Sequence, residues 1–429
     1  MKNLTLAIQI HQLLRYGGLI IVGIILTKSG VELAVIGQLE GLQYIGATLS
    51  VFWVNGFIQG ALPYYPSLND KEKMNFLKNV YSIYLICSIL IFILLYLFSS
   101  SISLFFTHKS LPYFYLFAIY LLLYLPSNLL EYFYLLKEKS NAVFWSSSLT
   151  FLALCSSCFV VVFTKNILEN LLFSWIIIAI FRHIFLLFEL RSTISFSFDK
   201  KLTSNYILLC LPLLAYAFVG QYAVNFDAWL VNFYYKGDAE KFAIFRYGSR
   251  ELPIFLALAT GLSNSMTLKI ASEGTGIFTI LKEKTLRLMH LCFPFAMLLL
   301  ATSNYWFCLV FSKSFEQSIV IFDIFILLVI SRLLFPQTIL LAKKESTSIF
   351  VISIVELFFN MILSVFLIQN YELAGVALAT FTAFLLEKIL LAFWLWKKYN
   401  IRFEDYTPVK WWIFYSILIV GIFIFKYFF

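Results

Sequence analysis

"LLKEKSNAVFWSS" (residues 135–147) returns, one residue longer, as "LLAKKESTSIFVIS" (340–353). Each copy opens on two leucines, carries lysines and a glutamate through a polar turn, and re-enters apolar sequence. The offset is near 205 residues, and other pairs keep it or come close. "RHIFLLFEL" (182–190) aligns with "EKILLAFWL" (387–395), "FFTHKS" (105–110) parallels "LVFSKS" (309–314), and Pro126 and Pro336 interrupt equivalent segments. Apolar segments align easily, so no single match decides anything. Their common order does: the chain reads as a duplicated unit.

What is duplicated is lipid-soluble. The 429 residues are 61% hydrophobic and 13% charged, with a mean hydropathy of +0.88, where a soluble domain is about half apolar and about a quarter charged. Long apolar runs recur from end to end, which predicts an all-α polytopic membrane protein, because in lipid only intrahelical bonding satisfies the backbone of a single segment. Thirteen spans are expected, at 6–27, 39–64, 78–106, 112–136, 143–164, 168–190, 205–234, 242–270, 286–311, 318–341, 347–368, 373–396 and 410–428. The repeat is then six helices plus six with one helix appended. An even number of spans gives both copies the same orientation, the parallel pseudo-repeat of one class of secondary transporter. Residues 1–192 form the expected first lobe, 193–204 the linker, 205–398 the second lobe, and 399–429 a connection and the additional helix.

Alternate connections differ in charge. One set, containing the N-terminus, holds 19 Lys and Arg; the other holds seven, Lys28, Lys109, Lys165, Lys236, Lys241, Lys313 and Lys426. The positive-inside rule places the N-terminus in the cytoplasm and the C-terminus outside. The net charge of +9 thus reflects topology and an anionic inner leaflet, not a nucleic-acid partner. No cleavable signal peptide is expected, since the first apolar stretch is long and contains Arg15. The six cysteines lie in apolar runs and read as small packing hydrophobes, the Cys155–Cys158 pair included. No metal or other cofactor is expected.

Charges at membrane depth are costly, about 2.5–3.5 kcal/mol each on insertion scales, so they mark an interior or an aqueous cavity. The basic ones are Arg15, Arg182, Arg246, Arg250, Arg332 and Lys388; the acids include Glu131, Asp227, Glu251, Asp323, Glu356 and Glu387. Arg182 and Lys388 lie near span ends, where snorkelling suffices. Arg15 is midway along span one. In "FAIFRYGSRELPIF" (242–255), Arg250 enters span eight by roughly 12 Å, near the centre of a ~30 Å core. Arg246 lies one turn away on the same face, and Pro253 predicts a kink beside both. Glu251 points away from Arg250 and is expected to tie span eight to a neighbour.

Two readings follow for the arginines. One is an internal ion pair with Asp227, architectural only. The other is that Arg15 and Arg250, with Arg246, line a cavity and bind an anionic group, work suited to the permanently charged guanidinium fork. Amides gather in the same spans: Gln12, Gln43, Asn55, Gln59, Gln221, Asn225, Asn232 and Asn264. Singly they read as helix-to-helix hydrogen bonds; together, beside many aromatics, they suit a sugar. The candidate substrate-binding set is Arg15, Arg246, Arg250, Asp227, Gln221, Asn225, Asn55 and Gln59.

"NFDAWLVNFYYKGDAEKFAIFRYGSREL" resembles the polysaccharide transporter branch of the MOP superfamily, the Wzx-type flippases of O-antigen and capsule assembly. The matching positions are Asn225, Asp227, Gly237 and Phe242–Ala243. "LLRYGGLIIVGIIL" and "GLQYIGATLSVFWVNGFIQGALPYY" resemble the family's first two spans. The resemblance implies a MATE/MOP-like bundle of two lobes working by alternating access in a bacterial inner membrane. It also implies a substrate, undecaprenyl-pyrophosphate-linked oligosaccharide of O-antigen, capsule, lipopolysaccharide or exopolysaccharide biosynthesis, which meets cationic cavity residues where Arg15 and Arg250 stand. Membrane lipids, and the glycan polymerase and assembly machinery, are the partners it suggests. A thirteenth span departs from the family's common twelve.

Two alternatives stand beside this. A cation-coupled multidrug antiporter of the same superfamily would prefer an anionic cavity, against which the arginines weigh. An integral-membrane polysaccharide polymerase or ligase would need a large loop or paired catalytic acids, and connections of about 15 residues leave little room for one. No Walker-type phosphate loop is present. A non-enzyme is therefore expected, and the sequence names no coupling ion.

Overall fold

The structure is a computed structural model that describes residues 2–65, 68–191, 200–343 and 345–428. Residues 193–199 of the expected linker and Lys344 lie outside the described residues, as do the side chains of Lys2, Lys71 and Asn264. Contacts divide the chain into two compact units, residues 1–243 and 244–429.

The first unit is built from α1 (Lys2–Lys28), α2 (Leu33–Tyr64), α3 (Asp70–Leu97), α4 (Ser99–Thr107), α5 (Phe114–Ser127), α6 (Leu129–Leu136), α7 (Ser140–Val161), α8 (Ile167–Leu190) and α9 (Lys200–Tyr234). α10 (Ala239–Gly248) contains the boundary. The second unit continues with α11 (Pro253–Glu273), α12 (Phe278–Val310), α13 (Ser318–Leu327), α14 (Val329–Arg332), α15 (Pro336–Ala342), α16 (Ser346–Tyr399), α17 (Phe403–Tyr406) and α18 (Val409–Phe428). Each expected span is mostly helical, with spans three, four, eight and ten each divided into two or more helices. Among the described residues nine helices are long and apolar enough to cross a membrane, or ten if the pair Ser318–Arg332 and Pro336–Ala342, bent by 47°, is one span. α16 carries two expected spans, separated at Glu372 by a backbone turn at φ 51°.

In the first unit α2 is the axis. Its Gly56 and Gly60 are one turn apart, and α9 comes so near that a Cβ on Gly56 would lie 2.7 Å from the Leu214 side chain and 3.2 Å from its Cα, and one on Gly60 2.3 Å from Cys210 Sγ. Small residues at this spacing let two helices close without a hydrophobic drive between them. The fit is fastened by buried tyrosines: Tyr84 of α3 donates to Val54 O at 2.6 Å, and Tyr206 of α9 donates to Phe57 O at 2.5 Å. Span seven therefore packs on span two within the first unit, although the repeat assigns it to the second lobe; the compact units and the repeat part the chain at different points.

The second unit packs α11, α12, α15 and α16 around an apolar core that includes Met266, Leu281, Ile339 and Leu391. α18 lies against α12, where Phe293 and Tyr415 stack at 5.1 Å, and reaches α14, where Trp412 Nε1 donates to Ile330 O at 3.0 Å.

Candidate functional site: two broken helices joined by an ion pair

Span eight is not kinked at its charges; it is interrupted. α10 stops at Gly248, residues 249–252 are not helical, and α11 begins at Pro253. Two causes combine, one local and one from a distant span. Proline disfavours helix at the residue before it and is well placed at the first helical position, where no N–H is needed. Gly248 is pressed so closely on span ten that a Cβ would lie 2.6 Å from Ile321 and 2.8 Å from Ser318 O. Ser318 also ties α10 to span ten, its hydroxyl donating to Ile244 O at 2.8 Å.

The break corrects the expected geometry of the arginines. Arg246 is in the last turn of α10, whereas Arg250 and Glu251 lie in the non-helical segment, so the one-face, one-turn relation does not apply. Arg250 sets its guanidinium over the Tyr247 ring at 4.1 Å. Glu251 does reach a neighbouring span, as expected: Arg332 grips it with both arms of its fork, Nε to Oε2 at 3.0 Å and Nη2 to Oε1 at 2.5 Å. Arg332 also covers the Phe384 ring at 4.5 Å.

Arg332 is itself at the lip of a second break. α14 ends on it, residues 333–335 are not helical, and α15 starts at Pro336. One bidentate pair thus joins two interruptions, each set just before a proline. Between them is a crevice of about 10 Å³ lined by Arg250, Glu251, Leu252, Phe255 and Arg332, among others; that is about one probe sphere, the room a single water needs. Two arginines and one carboxylate line it, and the N-terminal end of α11, with its partial positive charge, lies beside them. The crevice is closed to anything larger than water.

In the first unit Arg15 is half-buried on α1, near enough to His11, Tyr84 and Tyr120 for its charge to act on each. His11 Nδ1 lies 2.8 Å from Ser147 Oγ. Asn225 and Asp227 of α9 are buried, and the Asn225 carbonyl accepts from Tyr44 at 3.5 Å. Asn55 and Gln221 are half-buried, and Gln59 is exposed. The candidate residues are therefore distributed over both units, and within the second unit Arg246 and Arg250 stay near the break.

Two cations were misread by sequence. Arg182 does not snorkel: its side chain is 11% exposed and holds Glu131, 2% exposed, at 2.7 and 2.8 Å. It also donates to Thr150 and to Ser127 O, a carbonyl beside the α5–α6 interruption. Lys388 is likewise buried, 2.8 Å from Glu387 and 3.3 Å from Gln337. Sequence marks Glu131 as an acid at depth without pairing it with Arg182, and Ser146, 2.7 Å from Glu131, is the member of the first network that it misses. A carboxylate inside an apolar run signals that a buried partner exists, without naming it.

No family model and no curated protein matches the chain. Solved structures do match its fold. The lipid II flippase MurJ in an inward closed conformation superposes with a TM-score of 0.72 at 17% identity, covering 100% of this chain and 92% of that one. An inward-facing multidrug resistance MATE family transporter of the MOP superfamily gives 0.61 at 12%, covering 98% of each chain. The Vibrio cholerae MATE transporter VcmN gives 0.57 at 15%, covering 93% and 99%. The chain has the all-helical fold shared by transporters and flippases of the MOP superfamily.

Proposed function

We propose that this protein is a flippase that carries undecaprenyl-pyrophosphate-linked oligosaccharide across the bacterial cytoplasmic membrane by alternating access, with Arg250, Arg246 and Arg15 meeting the anionic head of the substrate. The N-terminus is cytoplasmic on the charge bias, and thirteen spans in two six-helix lobes plus one make up the topology. The observation that carries this reading is the double break, which sets Arg250 and Arg332 beside one crevice in non-helical backbone next to two prolines. A transporter moving cationic drugs gains nothing from guanidinium forks at such a break, whereas a pyrophosphate gains two or more charge-assisted hydrogen bonds from them. A crevice closed to all but water fits one end of a transport cycle, in which opening the breaks would admit the phosphate. Asn225, Asp227, Gln221, Asn55 and Gln59 serve the sugars or the helix contacts beside them.

The test is transport of a fluorescent lipid-linked oligosaccharide in vesicles reconstituted with the purified protein. Arg250→Ala is expected to lower the rate by about 10- to 100-fold, the loss of one or two charge-assisted bonds at about 1.5–3 kcal/mol each, with unchanged thermal stability. Arg250→Lys should recover part of it, because charge survives and the fork does not. Full transport by Arg250→Ala would refute the assignment. The likeness to multidrug transporters supports a second reading, cation-coupled drug export, which predicts ethidium efflux instead.

A further inference from the structure

A larger cavity, of about 440 Å³, lies wholly in the first unit at the ends of its helices. Three segments enclose it: the first two turns of α2, the connection from α4 to α5, and the connection from α9 to α10. They are brought together by glycines. A Cβ on Gly37 would lie 1.9 Å from Ala239 O, and one on Gly237, at φ +71°, would lie 2.2 Å from Thr107 O. The walls are also fixed by their own hydrogen bonds. Thr107 and Ser103 hydroxyls both donate to Lys109 O, and Leu111 N donates back to Ser103. Asp238 Oδ1 accepts from Glu240 N at 2.9 Å and Lys241 N at 3.2 Å, capping α10. The cavity is preorganised, and its volume falls within the ~300–1,000 Å³ usual for small-ligand sites.

Its lining selects the ligand. Gln38, Lys109, Ser110, Asn232, Asp238 and Glu240 present donors and acceptors of both kinds around one space. Two carboxylates oppose a phosphate, and a single lysine opposes a divalent cation. The polar share of the wall is too large for an apolar drug. A neutral molecule that both donates and accepts at many points satisfies this set. We infer that the cavity is a saccharide-binding site for a mono- or disaccharide unit, separate from the arginine break. That the sugar belongs to a transported lipid-linked glycan rests on the flippase reading; the preference for a polyol does not. On the charge-derived orientation the site faces outward, where a glycan emerging from the membrane would be held.

The experiment is saturation-transfer NMR on the full chain in nanodiscs, with glucose, galactose, mannose, N-acetylglucosamine and their common disaccharides as probes, beside the vesicle transport assay. At least one probe should bind saturably below about 50 mM, weak but specific on the affinity scale. Glu240→Gln with Lys109→Ala should weaken it about tenfold, the equivalent of one charge-assisted hydrogen bond. Ala34→Phe should abolish binding by filling the space, with the thermal unfolding midpoint unchanged in both variants. Binding that survives Ala34→Phe, or no saturable probe, overturns the site even if lipid-linked glycan is transported. Saccharide binding that Ala34→Phe abolishes, in a protein that moves no lipid-linked glycan, upholds the site and refutes the flippase reading instead.

Discussion

Glu345, in the turn between α15 and α16, receives hydrogen bonds from Tyr399 at 2.5 Å, Ser348 at 2.7 Å and Lys398. An equivalent turn in the first half has the opposite sign: Lys137 and Lys139 converge on Glu189 at 2.9 and 2.6 Å. The same junction, turn to last span, is clamped in both halves by a charge pair whose polarity is exchanged. The hydrogen bonds to Glu345, Lys398 first, pull its carboxyl from the ordinary 4.5 down to about 2. A folded-state value below the unfolded one stabilises the folded chain above the unfolded value and loses that contribution as pH falls toward the folded one. Glu345→Gln should therefore unfold at a lower temperature than the wild type at pH 7. The gap should hold down to pH 4.5 and close between 4.5 and about 2. Paired thermal scans across that range check it, and a gap already closed at pH 6 would show that the carboxylate is not clamped.

At the scale of the helices, α2 and α9 depend on the absence of two side chains. Gly60→Leu puts a branched side chain where even a Cβ would lie 2.3 Å from Cys210 Sγ; overpacking of this kind costs typically about 1–3 kcal/mol. The variant should lower the unfolding midpoint, and Cys210→Ala on the same background should recover part of it by opening room. Gly421→Leu, where a Cβ meets nothing within 4 Å, is the matched control. These glycines also show what a sequence reveals and what it withholds. Apolar runs and their punctuation made the helices legible, and Pro253 marked the right place in span eight. The expected kink became a full interruption because Gly248 is pressed on Ile321 and Ser318, 70 or more residues away in sequence. Partners were hidden for the same reason. Glu131 and Arg182 are 51 residues apart and Glu251 and Arg332 are 81 apart, and nothing local in an apolar run says which buried charges will meet. Depth along a helix can be counted from sequence; the facing residue cannot.

For the molecule as a whole, the element that the duplication does not explain is α18, and the second unit treats it as a structural member. Asp323 of α13 is fully buried, and its Oδ2 accepts from Lys426 at 2.6 Å and Tyr427 at 2.6 Å, both in the last turns of α18. Lys426 also donates to Leu300 O at 3.0 Å and to Ser303 on α12. The appended helix is thus pinned to two others by one charge pair in a dry setting. Such a pair contributes little net stability compared with apolar residues of the same shape, yet removing one partner leaves a buried charge uncompensated, at about 3–5 kcal/mol. Lys426→Met should accordingly destabilise the protein strongly. Asp323→Leu combined with Lys426→Met should return most of the loss, although Tyr427 forfeits its acceptor. A double-mutant cycle of unfolding midpoints in detergent measures the coupling. A large coupling energy makes α18 an integral part of the second unit, held by a specific bond. Single variants that unfold like the wild type would make it a helix resting on that unit through apolar contact alone.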